Sequence, residues 1–213
     1  MKITYINISL KFLLVLLAFV IIANIGVGCK TIQNNQTFIE PKTIQQIKPK
    51  ISITFEIKQT IQKALDMKNR KWTKVNLNKV SRLLQIGETQ FDYNHKDIVA
   101  LMLLESEMNI HATGRNEDSI DYGLLQHNSN SISDRYKEAA KYLDEYHISY
   151  NIHNKYDIAL NIISCFLYLD MIRKNYPDDY DKMIRGYNAG IRGASLGRGK
   201  MYYNNFIAYR EKL

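Results

Sequence analysis

Seven consecutive apolar residues at 98–104 (IVALMLL) run straight into a carboxyl group at Glu105. With Asn94 as an N-cap, the spacing predicts a helix over 95–107, and a helix that is apolar all round must lie inside a domain, covered by other elements. The carboxyl at its end then has two fates. In a cleft it loses solvation, its pKa rises, and it stays protonated near neutral pH, ready to give its proton to a leaving oxygen. Otherwise it emerges into solvent beside Glu107, and from this segment alone that plainer outcome is favoured.

The remaining apolar repeats are also helical. Ile51, Ile53 and Phe55 alternate briefly, after which Ile57, Ile61, Ala64 and Leu65 recur at helical spacing. Further helices are predicted over 79–86, 134–146, 157–175, 178–187 and about 200–212, with Gly190 available to end the one over 178–187. No segment offers an alternating strand pair with an Asn-Gly type turn, and there is no P-loop or dinucleotide-binding glycine pattern. The expected fold class is therefore mostly α. A chain of 213 residues, 46% hydrophobic, fills one core and not two.

The first stretch reads as an address. Lys2 and Lys11 precede an uninterrupted apolar run at 12–23, and Gly26-Val27-Gly28 leads into Cys29, the order of an export signal. The run is shorter than the roughly 20 residues of a permanent membrane span, so residues 1–28 are expected to be a signal peptide, with a membrane anchor as the alternative. Cys29 resembles the lipidated cysteine of bacterial lipoproteins, although Gly26 stands where that motif usually has Leu. Residues 29–52, rich in Gln and Asn and holding two of the three prolines, are read as a tether, and 53–213 as the domain. The chain is expected to be exported, periplasmic and held at the membrane through its N-terminal signal or lipid.

The formal charge is +8, and because residues 1–28 contain two Lys and no acid, the remainder keeps +6. That balance suits an anionic partner, but Lys and Arg are dispersed and no nucleic-acid motif is present, so no nucleic-acid partner is expected. Two cysteines support neither a disulfide scaffold nor a Cys-based zinc site. Five scattered His without a His-Glu-x-x-His pattern argue against a metal, and no cofactor is expected. Cys165 is read as a small buried hydrophobe, and His127 as a surface or packing residue.

Context changes the odds for Glu105. Glu105-Ser106 is followed by Asn109 and Ala112, then by 121–129 (DYGLLQHNS), and later by 186–190 (GYNAG). In order and spacing this resembles the catalytic domain of soluble lytic transglycosylases, with their E-S-x-x-N-P-x-A, G-L-M-Q and Y-N-A-G signatures, over roughly residue 79 to the C-terminus. Residues 114–129 look most like the branch associated with secretion and conjugation, and Asp157 with Asn161-Ile162 resembles the family's D-P-x-x-N-I helix start. Ile110 and Leu125 replace the usual Pro and Met, Pro is missing after Asp157, and His127 replaces an apolar residue.

The resemblance implies a lysozyme-like helical domain with a loop-rich cleft for peptidoglycan. It implies Glu105 as sole general acid and then base, Ser106 as a neighbour that orients it, Gln126 and Tyr187 lining the glycan cleft, and Asn188 supporting the turn or touching substrate. The implied reaction cleaves between N-acetylmuramic acid and N-acetylglucosamine and closes a 1,6-anhydro ring. Blander roles stand beside these: Ser106 bonding its own helix, Gln126 satisfying peptide groups, Tyr187 as one core aromatic among many. Most glycosidases need two carboxyls. Glu107 is a poor second because residues i and i+2 do not share a helix face, which leaves Glu117, Asp118 and Asp121 in the loop. The alternatives are a hydrolytic lysozyme and a non-catalytic glycan-binding component of an envelope-spanning or phage assembly.

Overall fold

The computed structural model describes residues 55–213, within a unit spanning Lys48–Leu213. The expected signal at 1–28, the whole of the expected tether at 29–52 with Cys29 and Ile51, and Ile53 lie outside the described residues.

Seven helices and a small sheet make up the described residues. Helix α1 (Phe55–Met67) buries Ile57, Ile61, Ala64 and Leu65, the face that the repeat specified, while Phe55 stays exposed at its start. Helix α2 (Lys74–Phe91) is longer than the predicted 79–86 at both ends. Thr73 caps its start, accepting from the Asn76 N–H, and Asp92 ends it in the left-handed conformation. Those capping residues are polar and lie outside the apolar repeat, which is why periodicity alone cut the helix short. Helix α3 (His95–Ser106) begins at Asn94 as expected, and Ile98 to Leu103 are all buried.

A three-stranded antiparallel sheet follows: β1 (Thr113–Arg115), β2 (Ile120–Tyr122) and β3 (His127–Asn128), in that order, with Gly114 opposite Asp121 and Tyr122 opposite His127. The sequence reading expected no strand pair. Strands of two or three residues are too short to show alternation, and side chains hold this sheet together as much as its ladder does: the Ser129 hydroxyl accepts from the Ile120 N–H and Asn128 donates to Asp121.

Helix α4 (Ile132–Glu145) is amphipathic, whereas α5 (Ile158–Arg173) is buried nearly all round and packs against α2, α4 and α6. Asp157 caps α5, its carboxylate accepting from the Ala159 and Leu160 N–H groups and from Asn151 in the preceding loop. Gly87 of α2 lets α5 approach: a Cβ there would sit 2.0 Å from the Phe166 ring. Helix α6 (Tyr180–Ser195) runs past the predicted end at 187, but Gly190 (φ 71°, ψ 164°) is non-helical and divides it into two helical segments, the first of which stops at this glycine as the sequence suggests. Helix α7 (Lys200–Arg210) packs on α3 and α6, tied to α3 by an Arg210 to Asp97 ion pair. Cys165 is fully buried and its thiol is pushed up to about 12 by burial. Among the described residues, no helix is long and apolar enough to cross a membrane.

Candidate active site

The chain reverses immediately after Glu105. Glu107 and Met108 both take left-handed backbone (φ 51° and 62°), and the Trp72 indole N–H donates to the Met108 carbonyl at 3.0 Å. Ser106 is buried, and its hydroxyl donates to the Met102 carbonyl one turn back at 3.0 Å. Asn109 accepts from the His111 N–H, closing the turn that leads to β1. Apart from Glu105, the side chains of this first signature therefore shape the exit of α3. Ser106 is not among the residues lining the cavity described next.

Beside the sheet lies a cavity of about 340 Å³, lined by Glu105, Gln126, Tyr187 and Asn188. These come from the end of α3, the β2–β3 loop and α6, so three segments remote in sequence converge. The loop is a tight turn in which Gly123 (φ 81°) and Gln126 (φ 47°) are both left-handed. Gly123 is required twice over, because a Cβ there would also meet the Asn161 amide at 2.6 Å. Gln126 is half-buried, and its side-chain amide donates to the Gly123 carbonyl at 2.8 Å. Tyr187 is buried and its hydroxyl donates to the Leu125 carbonyl at 2.8 Å, so it holds the loop against α6 as well as walling the cavity. Asn188, next along α6, is exposed at the rim.

Glu105 is half-buried, and loss of solvation pushes its carboxyl from the ordinary 4.5 up to about 7. Two neighbours adjust that value. The Tyr202 hydroxyl donates to Oε1 at 2.5 Å, which favours the carboxylate and pulls the pKa down, while the negative charge of Asp121 pushes it up. The carboxyl is thus close to equally protonated and ionised at neutral pH, a state suited to giving a proton and then taking one back.

Tyr202 was not singled out in the sequence. It arrives on α7, 97 residues along the chain, and no local pattern marks it among 15 tyrosines. Asp121 also lines the cavity, its two oxygens accepting from Asn116 (2.9 Å) and Asn128 (2.8 Å). Of the loop acids considered as a second carboxylate, Glu117 and Asp118 are exposed and outside this lining, and Glu107 is exposed and paired with Lys68 at 2.8 Å. His127, expected at a surface or in packing, is buried and contributes to the cavity wall, as do Arg135 and Tyr168.

A pair of opposite shifts tests this electrostatic account. A general acid must start protonated, so if Glu105 served as one, activity would decline as pH rises through its pKa. Tyr202→Phe removes the hydrogen bond that favours the ionised form and should move that alkaline limb upward. Asp121→Asn removes the nearby negative charge and should move it downward. Rate against pH for the two variants checks both directions, and shifts of the same sign would refute the assignment.

Comparison with known proteins bears on the same region. Curated proteins and solved structures gave no match. Residues 82–201 match the model described as Transglycosylase SLT domain, a stretch covering more than half of the 213 residues and running from α2 to the start of α7. The matched span includes Glu105, the loop and the α6 segment that wall the cavity, on the mostly helical scaffold expected of such a domain. The chain therefore belongs to the transglycosylase SLT domain family, whose members are typically lytic transglycosylases acting on peptidoglycan.

Proposed function

We propose that the chain cleaves the β-1,4 bond between N-acetylmuramic acid and N-acetylglucosamine and leaves 1,6-anhydro ends, with Glu105 as the sole acid and base. The observation that carries this reading is the half-buried carboxyl poised near neutrality in a cavity with Gln126, Tyr187 and Asn188. Protonated Glu105 gives its proton to the glycosidic oxygen as the bond from that oxygen to C1 breaks. The substrate's 2-acetamido group shields the developing cation at C1. Ionised Glu105 then takes the proton of the muramyl 6-hydroxyl, whose oxygen bonds to C1, and the carboxyl is regenerated without water. Tyr202, donating to the same carboxyl, stabilises its ionised half of the cycle.

Hydrolysis is the second reading, favoured by one observation: Asp121 lies in the same cavity, held by two amide donors and close enough to Glu105 to act on its charge. A lysozyme pairs a protonated acid with an ionised, hydrogen-bonded carboxylate in this way. Mass spectrometry of digested peptidoglycan separates the two. Anhydro-muramyl ends are expected from wild type, and reducing muramyl ends that vanish in Asp121→Asn would replace the transglycosylase reading with the hydrolytic one. A zymogram without any clearing would leave a glycan-binding component.

A peptidoglycan substrate places the domain outside the cytoplasm. Export by residues 1–28, lipid attachment at Cys29 and service in a secretion, conjugation or phage assembly belong to the proposal. Palmitate-analogue labelling should be lost in Cys29→Ser, and labelling that persists there would remove the lipid anchor.

A further inference from the structure

Arg135 stands apart from the other cations. It lies in the first turns of α4 and lines the cavity that Glu105 faces, yet among the described residues it has no carboxylate within ion-pairing distance. Two neutral groups hold it instead. Its guanidinium lies over the Tyr168 ring, 3.8 Å from the centroid, and Nη1 is 3.5 Å from His127 Nδ1.

The imidazole is fixed in one tautomer. His127 Nε2 is 2.7 Å from the Asn161 carbonyl oxygen, which only accepts, so Nε2 carries the hydrogen. Burial pushes the ring's pKa down to about 4, so it is neutral and Nδ1 offers a lone pair towards the guanidinium. One face and one N–H of Arg135 are thereby occupied, and its remaining guanidinium donors have no acceptor among the described residues. His127 is the residue at which this chain departs from the apolar choice of the family resemblance, and the departure supplies the acceptor that orients Arg135.

We propose that Arg135, oriented by His127 and Tyr168, anchors a carboxylate carried by the muramyl part of the substrate, next to the bond that Glu105 cleaves. The proposal rests on peptidoglycan being the substrate. A planar guanidinium with free parallel donors matches a carboxylate in a bidentate pair, and a site that excludes bulk water on one side strengthens it. Two carboxylates have this chemistry: one on the stem peptide, and the lactyl carboxylate exposed when the peptide has been removed. Arg135 and Tyr168 also border a second hollow of about 280 Å³, where the apolar surface of Leu167 and Met171 suits a peptide more than sugar hydroxyls and where Asp134 and Glu138 leave Arg135 as the one cation in the wall.

The test measures binding of soluble muramyl-glucosamine oligosaccharides by calorimetry in a Glu105→Gln background, which slows turnover by about 10²–10⁴-fold. Three ligands are compared: peptide-bearing, peptide-stripped, and peptide-bearing with carboxylates converted to methyl esters. Adding Arg135→Gln should weaken binding of an acid form by about 10- to 100-fold and have no further effect on the ester. Arg135→Lys, which keeps the charge but loses the planar fork, should fall between. Loss confined to the peptide-bearing ligand identifies the stem peptide, and loss confined to the stripped ligand identifies the lactyl group. Equal weakening on acid and ester forms, or none on either, overturns the anchor. Absence of anhydro ends from the wild-type digest overturns the transglycosylase reading alone, because the binding difference is read without cleavage.

Discussion

Glu105→Gln should lower peptidoglycan cleavage by about 10²–10⁴-fold while making the folded chain more stable at alkaline pH. The two effects share one cause. Folding raises the Glu105 pKa from 4.5 to about 7, so the folded chain holds this proton more tightly than the unfolded chain does. Stability therefore falls as pH rises from about 4.5 to about 7, and the full penalty persists above that window. For a half-buried group it comes to about 1–3 kcal/mol after allowance for solvent screening. A neutral amide at this position escapes it and still accepts the Tyr202 hydrogen bond. Thermal melts should show the variant a few degrees above wild type at pH 8 and level with it at pH 4. Retained cleavage would show that another group is the acid, and an identical advantage at both pH values would show that the carboxyl is not desolvated.

Asn161→Ala should produce the largest loss of stability short of emptying the core. This side chain is 1% exposed, and it stitches the cavity loop to α5. Its carbonyl oxygen accepts from the Leu125 N–H at 2.8 Å and its amide donates to the Tyr122 carbonyl at 3.0 Å. Truncation leaves the buried Leu125 N–H without its partner, at about 1–3 kcal/mol, and takes one donor from the partly buried Tyr122 carbonyl, at about 0.5–1.5 kcal/mol, so the total is about 1.5–4.5 kcal/mol. Leu125 is also the residue whose carbonyl receives the Tyr187 hydroxyl. Activity should thus fall further than the folded fraction does, because the loop between Gly123 and Gln126 loses its seat. Chemical denaturation beside initial rates checks both parts. A midpoint indistinguishable from wild type would mean that the loop is held by its own left-handed turn and not by α5.

Asn161 illustrates which parts of the site could be read in advance. It was noticed only as part of a helix-start resemblance, yet its work is done across 36 and 39 residues of sequence separation. Glu105, Gln126 and Tyr187, which share the cavity wall, each sit in a short run whose residue types serve local backbone needs: a reversal after α3, a turn with two positive φ angles, a break in α6 at Gly190. Tyr202 and Arg135 belong to no such run. A tyrosine or an arginine on an amphipathic helix looks the same whether it faces a carboxyl, a ring or water.

The same division separates the elements of the fold. Apolar period and capping side chains specified the helices, since both act over one or two turns: Asn94 and Asp157 cap the helices that they were read to begin, and the run at 98–103 is buried. The sequence by itself thus determined a mostly helical domain and an acid at the end of a buried helix. Only the tertiary structure decided the three short strands, the hydrogen-bond partner of that acid on α7 and the presence of Asp121, but not Glu117 or Asp118, in the cavity wall. Those outcomes depend on solvation and on contacts between segments far apart in the chain, and both quantities come into being only when the helices pack.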